Sequence, residues 1–341
     1  MKMAVMGAGS LGTIVGALVT KGGYDIDLID VNVDHVKALN TKGARITGLM
    51  EELVAPVKAI TPDEMTGEYD VFFYLTKTTQ NESALKYVTK HLKSDGVVVC
   101  MQNGIPEDAV ADVVGKDRTV GCIVGWGATW VEPGVSKLTS QPESMHYVIG
   151  ELDGKDTARL HEIAKVLNAA GIAEVTTNLI GIRWTKLMVN TGFSGMSAVV
   201  AGNYGNVLDN PKALVCTAYI FREALTICRA AGVTPEVYAG WDNRVLDFNT
   251  QKELQEKLPL FIKRETPHRA IRTGMLYDIE AGREPEYETF NGTQTRWGKK
   301  WGVPTPVNDQ VVEIIRGMWE GRLKIDPANV DLMTVPELPK E

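Results

Sequence analysis

The start of the chain carries three glycines in the spacing G-x-G-x-x-G, at Gly7, Gly9 and Gly12. Glycine is common in this sequence, so the spacing alone is weak evidence. Its context is stronger, because the apolar run "KMAVM" precedes it and an apolar-periodic segment, "SLGTIVGALVTKGG", follows it. A second strand pattern, "YDIDLID", completes a unit of about thirty residues. This order predicts a strand, a tight turn, a helix and a second, parallel strand.

Each glycine of such a unit has its own physical role. Gly7 allows the tight turn, Gly9 lets the backbone approach a pyrophosphate, and Gly12 lets the helix pack closely on the strand. The free N–H groups at the start of the helix then face the phosphates. We therefore predict a dinucleotide site rather than a purely structural turn. It is formed by Gly7, Ala8, Gly9, Ser10, Leu11 and Gly12.

An acidic residue, Asp30, ends the second predicted strand, eighteen residues after Gly12. A carboxylate at this spacing accepts a hydrogen bond from the adenosine ribose and repels a 2′-phosphate. No arginine or lysine follows until Lys37. The sequence therefore favours NAD over NADP as the cofactor. The alternative is that Asp30 is only a solvated acid at a strand end.

The alternation of strand and helix patterns continues through "YDVFFYLTK", "TQNESALKYVTKHLK" and "GVVVCMQNG". Strands separated by helices predict a parallel sheet covered on both faces. The fold class is thus α/β, with an N-terminal Rossmann-type doubly wound parallel sheet and a C-terminal all-α helical domain. We place the dinucleotide-binding domain at 1–178, the helical substrate and catalytic domain at 179–325 and a C-terminal tail at 326–341.

Composition excludes several classes of protein. A chain of 341 residues with 44% hydrophobic residues can bury the cores of two domains. Its formal net charge of -7 disfavours nucleic acid or an anionic membrane as the partner. The first residues form a strand pattern rather than a signal peptide, and the four cysteines lie far apart. We therefore expect a cytoplasmic protein with reduced thiols.

Polar residues follow two buried strands, at the sheet edge where such folds bind ligands. Thr76, Lys77 and Gln80 come after one strand, and Asn103 comes after the next. In the helical half, three polar residues recur at four-residue intervals and so share one helix face. They are Lys186, Asn190 and Ser194. A helical lysine is most often solvated, but the apolar neighbours of this one favour an inward-facing amine.

These segments resemble the ketopantoate reductase family, whose members reduce a 2-oxo acid to a 2-hydroxy acid with NAD(P)H. The similarity runs in order through "GAGSLG", "TKTTQ", "QNG", "GWGAT", "WTKLMVN", "GREPEYETFNG" and "GVPTPVN". The resemblance implies that Lys186 is the general acid and that Asn190 is its partner. It also implies that Glu286 contacts both the substrate hydroxyl and the cofactor. Lys77 and Asn103 correspond to residues beside the nicotinamide and the reacting carbonyl, and we also expect Thr76 to bind the cofactor.

The chemistry explains these residue types. Hydride transfer to a ketone carbon leaves a developing alkoxide, which the ammonium of Lys186 can stabilise and protonate. A buried ammonium alone tends to lose its proton, and a carboxylate such as Glu286 compensates for its desolvation. The lysine already supplies the positive charge at the carbonyl oxygen, and no cluster has metal-ligand spacing. We therefore expect no metal.

Two positions depart from the family pattern. Ser194 replaces an asparagine, and Gly274 replaces a serine, at positions that contact the substrate in the family. Beside Gly274, Thr273 is a candidate to supply a hydroxyl and Arg272 is a candidate to supply a charge. The alternative is that each is a solvated helix residue. We expect a reshaped pocket and a small-molecule 2-oxo acid that differs from ketopantoate. We interpret the nearby basic cluster as a solvated face. It consists of Lys263, Arg264, His268 and Arg269.

Three functions stay open at this point. The leading one is an NAD-dependent 2-oxo acid reductase, and the second is genuine 2-dehydropantoate 2-reductase activity in pantothenate synthesis. The third is a dinucleotide-sensing protein without chemistry, which the presence of Lys186, Asn190 and Glu286 disfavours. Trp297 and Trp301, four residues apart, favour helix packing first and a homodimer contact second.

Overall fold

The structure is a computed structural model that describes all residues, 1–341. The chain divides into two compact units, Met1–Leu179 and Ile180–Glu341. This division falls next to the boundary that the sequence predicts after residue 178. None of the helices has both the length and the apolar character needed to cross a lipid bilayer. All four cysteines are buried and none forms a disulfide.

The first unit contains two sheets. Its strands are β1 (Met3–Met6), β2 (Ile26–Ile29), β3 (Ala44–Gly48), β4 (Leu53–Ala55), β5 (Lys58–Ile60), β6 (Tyr69–Tyr74), β7 (Leu92–Cys100), β8 (Thr119–Val124), β9 (Ala128–Glu132), β10 (Val135–Leu138), β11 (His146–Glu151) and β12 (Ile172–Val175). The main sheet has the order β12-β11-β8-β7-β6-β1-β2-β5. All its pairs are parallel except β8 with β11. Because β1 pairs with both β2 and β6, the strand order reverses there, and such a point is the usual ligand site of an α/β sheet.

Apolar side chains on alternate residues of the sheet form a separate core on each of its faces. In β1, Met3 and Val5 belong to one core, whereas Ala4 and Met6 belong to the other. The helices of the unit are α1 (Ser10–Lys21), α2 (Val33–Lys42), α3 (Asn81–His91), α4 (Glu107–Val114) and α5 (Ala158–Leu167). Residues of α1 and α5 contribute to the first core, and residues of α3 and α4 to the second. The predicted doubly wound sheet is confirmed.

A small second sheet, with the order β4-β3-β10-β9, is a feature that the sequence analysis missed in part. The sequence analysis did not assign β3, β4 or β5. These strands are only three to five residues long. Such short segments give too little alternation to be recognised, and they are stabilised by pairing with β10 and β2 rather than by their own pattern.

The second unit is helical. Its helices are α6 (Leu179–Val189, whose first residue belongs to the first unit), α7 (Met196–Val199), α8 (Tyr204–Asp209), α9 (Pro211–Ala230), α10 (Gln251–Glu265), α11 (Gly274–Glu280), α12 (Asn291–Trp301) and α13 (Pro306–Trp319). A π-helical turn, Asn190–Gly195, joins α6 to α7. The C-terminal tail lies against this unit, because the Tyr219 hydroxyl donates to the Pro336 carbonyl at 2.7 Å and the Gln251 N–H donates to the Pro339 carbonyl at 2.8 Å.

Candidate functional site

A groove of about 400 Å³ lies in the first unit, where the strand order reverses. It is formed by the residues that end or follow β1, β2 and β6, together with the start of α3. Of the predicted cofactor residues, Gly7, Gly9, Asp30, Thr76 and Lys77 line it. The sequence analysis missed the rest of the wall, which includes Pro62, Ser83, Ala84 and Tyr87. The Tyr87 hydroxyl donates to Asp63 at 2.7 Å and so ties α3 to the segment after β5.

The glycine loop has the backbone conformation that a phosphate-binding turn needs. Gly7 has a φ of +95°, and the N–H groups of Gly7 and Ala8 both donate to the Ile29 carbonyl, at 2.9 and 3.0 Å. A Cβ atom on Gly12 would collide with the Gly7 carbonyl, whereas a Cβ on Gly9 would meet no atom within 4 Å. The space in front of Gly9 is therefore open, as close approach of a pyrophosphate requires.

Helix α1 begins at Ser10 without a side-chain cap, since Gly9 occupies its N-cap position. The first N–H groups of a helix have no partner within the helix, so those of Ser10, Leu11 and Gly12 are available to an anion. A helix of twelve residues also places a partial positive charge at this end. The open face at Gly9 and these donors fit the pyrophosphate of a dinucleotide.

A buried histidine holds the glycine loop from behind. His35 Nε2 lies 2.8 Å from the Ala8 carbonyl, and its Nδ1 accepts a hydrogen bond from the Gly134 N–H at 2.9 Å. Since Nδ1 is the acceptor, the proton is on Nε2, which donates to Ala8. The Thr13 hydroxyl donates to the same Ala8 carbonyl at 2.7 Å. His35 thus connects the loop to the turn between β9 and β10, a role that sequence reasoning did not find.

Asp30 lies at the carboxyl end of β2 and is half-buried. One of its carboxylate oxygens accepts a hydrogen bond from the Asn32 N–H at 2.9 Å. This bond fixes the carboxylate at the groove, and Val31 beside it is also part of the wall. The local sequence after β2 provides no basic side chain to offset the charge.

Hydrogen bonds connect the loops that follow β6 and β7. The Gln102 amide donates to the Thr76 carbonyl and to Asn81 Oδ1, each at 2.8 Å. The Tyr74 hydroxyl donates to the same Asn81 oxygen at 3.0 Å, and burial raises the pKa of Tyr74, which keeps it a neutral donor. The network positions two predicted residues, the exposed Lys77 and the half-buried Asn103, at the ends of adjacent parallel strands.

In the second unit, Lys186 and Asn190 are both half-buried on the last turn of α6 and the residue after it. The neighbouring side chains of Lys186 are core residues: Trp184 packs edge-on against Trp297 at 5.4 Å, as the predicted helix packing requires, and Leu187 is buried. Trp301 is exposed. Lys186 thus lies on a helix whose flanking side chains are packed in the core.

The predicted helix face shared by Lys186, Asn190 and Ser194 stays a prediction. The second and third of these residues lie in the π-helical turn Asn190–Gly195 rather than in a regular α-helix. Ser194 is 9% exposed, and its hydroxyl lies 2.7 Å from the Tyr204 hydroxyl. Burial raises the pKa of Tyr204 to about 12, so the pair stays neutral.

The remaining predicted substrate residues surround the start of α11. Thr273 is buried and caps the helix, since its hydroxyl accepts from the Met275 N–H at 3.3 Å. Gly274 is exposed, with nothing within 4 Å of a built Cβ. Arg272 forms an ion pair with Glu280 and stacks over Tyr277 at 4.6 Å. The charge of Arg272 is therefore already neutralised.

Glu286 is half-buried in the turn that precedes α12. Its carbonyl accepts from the Thr289 N–H at 3.0 Å. The basic cluster is corrected at one position, because Arg264 is buried. It pairs with Glu265 at 2.9 Å, donates to Asn243 and lies 5.6 Å from the Trp241 ring. Buried arginine needs such partners, whereas Lys263 beside it is exposed as predicted.

Comparison with known proteins gives consistent matches along the chain. The family model described as "Ketopantoate reductase PanE/ApbA" matches residues 3–154, and "Ketopantoate reductase PanE/ApbA C terminal" matches residues 178–318. The 2-dehydropantoate 2-reductase of Pyrococcus horikoshii is 28% identical over 311 residues, which cover 90% of this chain and 94% of that protein. The enzyme of the same name from Archaeoglobus fulgidus is 25% identical over 321 residues, covering 94% and 98%.

Solved structures share the fold. The ternary complex of D-mandelate dehydrogenase with NADH and anilino(oxo)acetate superposes with a TM-score of 0.80 at 23% identity, covering 94% of this chain and 99% of that one. A ketopantoate reductase from Ralstonia eutropha JMP134 gives a TM-score of 0.80 at 22% identity, with coverage of 94% and 99%. The two family models together span most of the sequence. The chain therefore belongs to the ketopantoate reductase family.

Proposed function

We propose that this protein reduces a 2-oxo acid to a 2-hydroxy acid, with NADH as the preferred source of hydride. As a member of its family the chain is an NAD(P)-dependent oxidoreductase that acts on CH–OH groups. The observation that carries the proposal is the groove at Gly7 and Gly9. It is open where a pyrophosphate would lie, and it belongs to a chain that the reductase models match in both units.

Lys186 is the proposed general acid. A bound nicotinamide cofactor supplies the hydride, and the substrate oxygen then needs a proton. The ammonium of Lys186 stabilises the developing alkoxide and donates that proton, an effect typically worth about 10²–10⁴ in rate. Asn190, one turn further along, orients the same group, and Glu286 offsets the desolvation of the ammonium. In the reverse direction, neutral Lys186 accepts the proton from the hydroxyl.

Asp30 supports the preference for NADH. Its carboxylate lines the groove and is fixed by the Asn32 N–H. A ribose 2′-hydroxyl can donate to this carboxylate, whereas a 2′-phosphate would be repelled by it. A steady-state comparison of kcat/KM for NADH and NADPH tests this part of the proposal, and a clear preference for NADPH contradicts it.

Three positions near the predicted substrate contacts support a 2-oxo acid other than ketopantoate. The Ser194 hydroxyl is engaged by Tyr204, the charge of Arg272 is neutralised by Glu280, and Gly274 has no side chain to contact a ligand. Related proteins act as 2-dehydropantoate 2-reductases, and ketopantoate reduction is therefore the second candidate. A ketopantoate reductase from Staphylococcus aureus is described as dimeric. A homodimer of the present chain stays a prediction.

An NADH-oxidation screen decides among these functions. The panel contains branched, aromatic and hydroxylated 2-oxo acids, with ketopantoate included. Turnover of a 2-oxo acid other than ketopantoate supports the leading proposal, and ketopantoate as the best substrate supports the second. NADH binding without turnover of any compound would contradict both and favour a dinucleotide sensor.

A further inference from the structure

The π-helical turn after Lys186 is held by side chains from other helices. In a π turn the backbone hydrogen bonds run from residue i to i+5, so the regular ladder is locally disrupted and carbonyls need other donors. Two such donors are present. The Asn291 amide donates to the Thr191 carbonyl at 3.2 Å. The Thr217 hydroxyl shares its proton between the Gly192 carbonyl at 3.1 Å and the Ala213 carbonyl of its own helix at 3.0 Å. The wider turn is therefore stabilised from outside its own segment.

The hydroxyl of Thr191 connects the turn to a longer chain of hydrogen bonds. It donates to the Leu187 carbonyl at 2.9 Å and accepts from the Gln294 amide at 2.6 Å. The Gln294 oxygen in turn accepts from the Asn308 amide at 2.7 Å. Leu187 and Thr191 directly follow Lys186 and Asn190 in the sequence. The bond between them therefore fixes the stretch of helix that carries both predicted catalytic-site residues.

The chain of bonds ends at a buried carboxylate. Glu223 accepts from the Val307 N–H at 2.8 Å, and from the Asn308 N–H and side-chain amide at 3.2 and 2.6 Å. The side-chain oxygen of Asn308 accepts from the Asn291 amide at 2.8 Å. The two Glu223 oxygens accept from the Val307 and Asn308 N–H groups, so the Asn308 amide presents its NH₂ group to them as a third donor. This orientation of the Asn308 amide determines which group donates and which accepts in each following bond, through Gln294 to Thr191.

All the amide side chains of this relay are inaccessible, since Asn291, Gln294 and Asn308 are each 0% exposed. Buried polar groups are energetically expensive unless they are hydrogen-bonded, and one side-chain atom of this network, Asn291 Oδ1, has no partner. A directional, buried network of this kind is therefore suited to specifying one local geometry rather than to adding stability.

We propose that Glu223, Asn308, Gln294 and Asn291 are positioning residues that hold the Asn190–Gly195 π turn and thereby orient Lys186 and Asn190 for proton transfer. The part concerning proton transfer rests on the proposed reductase function. The part concerning the turn rests only on the hydrogen bonds of the second unit.

A matched set of threonine variants tests the relay. Thr191→Val keeps the side-chain shape and removes the hydroxyl, and Thr191→Ser restores it. Thr293→Val is the control, because Thr293 is also buried and lies on α12 beside Gln294. Its hydroxyl donates to the Thr289 carbonyl just before that helix at 2.8 Å and accepts from Arg296 at 3.1 Å, so it is not part of the relay. Gln294→Met provides a second test of the relay if Thr191→Val does not fold.

Hydrogen–deuterium exchange of peptides covering 190–195 is the first measurement. We expect the turn to exchange at least about tenfold faster in Thr191→Val and Gln294→Met than in the wild-type protein. Thr191→Ser and Thr293→Val should exchange at the wild-type rate. Unchanged exchange in both relay variants, or an equal increase in Thr293→Val, overturns the proposal. This measurement needs no substrate, so a silent 2-oxo acid panel contradicts the proposed function and leaves the test of the relay intact.

Steady-state kinetics with the best 2-oxo acid of the panel is the second measurement. Small displacements of a reacting group reduce rates strongly. We therefore expect Thr191→Val to lower kcat about tenfold, with the KM for NADH unchanged and with recovery in Thr191→Ser. A loss of thermal stability without this change in kcat would show that the relay only supports the fold, and it would overturn the positioning role.

Discussion

A Cβ atom built on Gly7 would lie 2.7 Å from the backbone nitrogen of Thr76. The turn after β1 and the loop after β6 therefore approach each other backbone to backbone, at the point where the strand order of the sheet reverses. Gly7 also has a φ of +95°, which side-chain-bearing residues rarely adopt. Two requirements thus select glycine at this position. At Gly9 neither applies, since φ is −65° and the space beyond is open.

This contrast predicts different outcomes for two similar substitutions. Gly7→Ala should lower the free energy of unfolding by at least about 1–3 kcal/mol, because it adds backbone strain and a clash with Thr76. Gly9→Ala should leave the thermal midpoint near that of the wild-type protein and weaken NADH binding at least about tenfold. Thermal unfolding and fluorescence titration with NADH measure the two effects. Wild-type affinity in Gly9→Ala would show that no phosphate approaches this face.

Substitution of Asp30 should change the cofactor preference. We expect Asp30→Ala to lower kcat/KM for NADH about tenfold and to raise kcat/KM for NADPH, because the ribose acceptor and the repulsion of the 2′-phosphate disappear together. Asp34→Ala is the control. It removes the same charge at an exposed residue on the first turn of α2. An equal effect of both variants would mean that the cofactor preference depends only on the net charge of the protein.

Removal of the proposed proton donor should separate catalysis from cofactor binding. Lys186→Ala is expected to lower kcat by at least about 10², since general acid catalysis is lost. The Kd for NADH should change little, because the groove belongs to the other unit. Lys263→Ala, on the exposed side of α10, is the control for removal of a lysine from the helical unit. Wild-type turnover in Lys186→Ala would exclude it from the catalytic role.

Much of the first unit could be predicted because its signals are local. The glycine spacing, the strand before it and Asp30 after it all lie within one βαβ unit, and each has one physical role. The groove wall at Pro62 and Tyr87 could not be found this way. These residues come from segments far apart in the sequence and meet only through strand order. His35 was missed for the same reason, since its partner Gly134 is 99 residues away.

In the second unit, the helical pattern was readable but its irregularity was not. The four-residue spacing of Lys186, Asn190 and Ser194 predicts one face only if the helix is regular. The π turn depends on donors from α9 and α12, which no property of the segment itself reveals. Arg264 likewise looked solvated, because its partner Asn243 lies in a loop outside its own helix. Long-range hydrogen bonds thus underlie both the π turn and the burial of Arg264.

The buried carboxylate of Glu223 should make stability depend on pH. Burial is the largest cause, and together with a smaller effect of the nearby Asp309 it raises the pKa of Glu223 from 4.5 to about 7, although three hydrogen-bond donors act in the opposite direction. The native state then holds this proton more tightly than the unfolded chain does. The contribution of Glu223 to stability is therefore fully present below about pH 4.5 and falls as pH rises to about 7. The expected decrease is up to roughly 3 kcal/mol.

Urea denaturation across this pH range, with Glu223→Gln as the comparison, isolates the effect. Titrating groups that do not interact with Glu223 act alike in both proteins, so the difference in unfolding free energy reports on Glu223 and its interaction with Asp309. We expect the wild-type protein to lose stability relative to Glu223→Gln as pH rises, and to change no further above about pH 7. Glu313→Gln, exposed on α13, should run parallel to the wild-type protein. A difference that is constant with pH would mean that Glu223 ionises in the folded protein as readily as in the unfolded chain, and that the donors around it fully offset its burial.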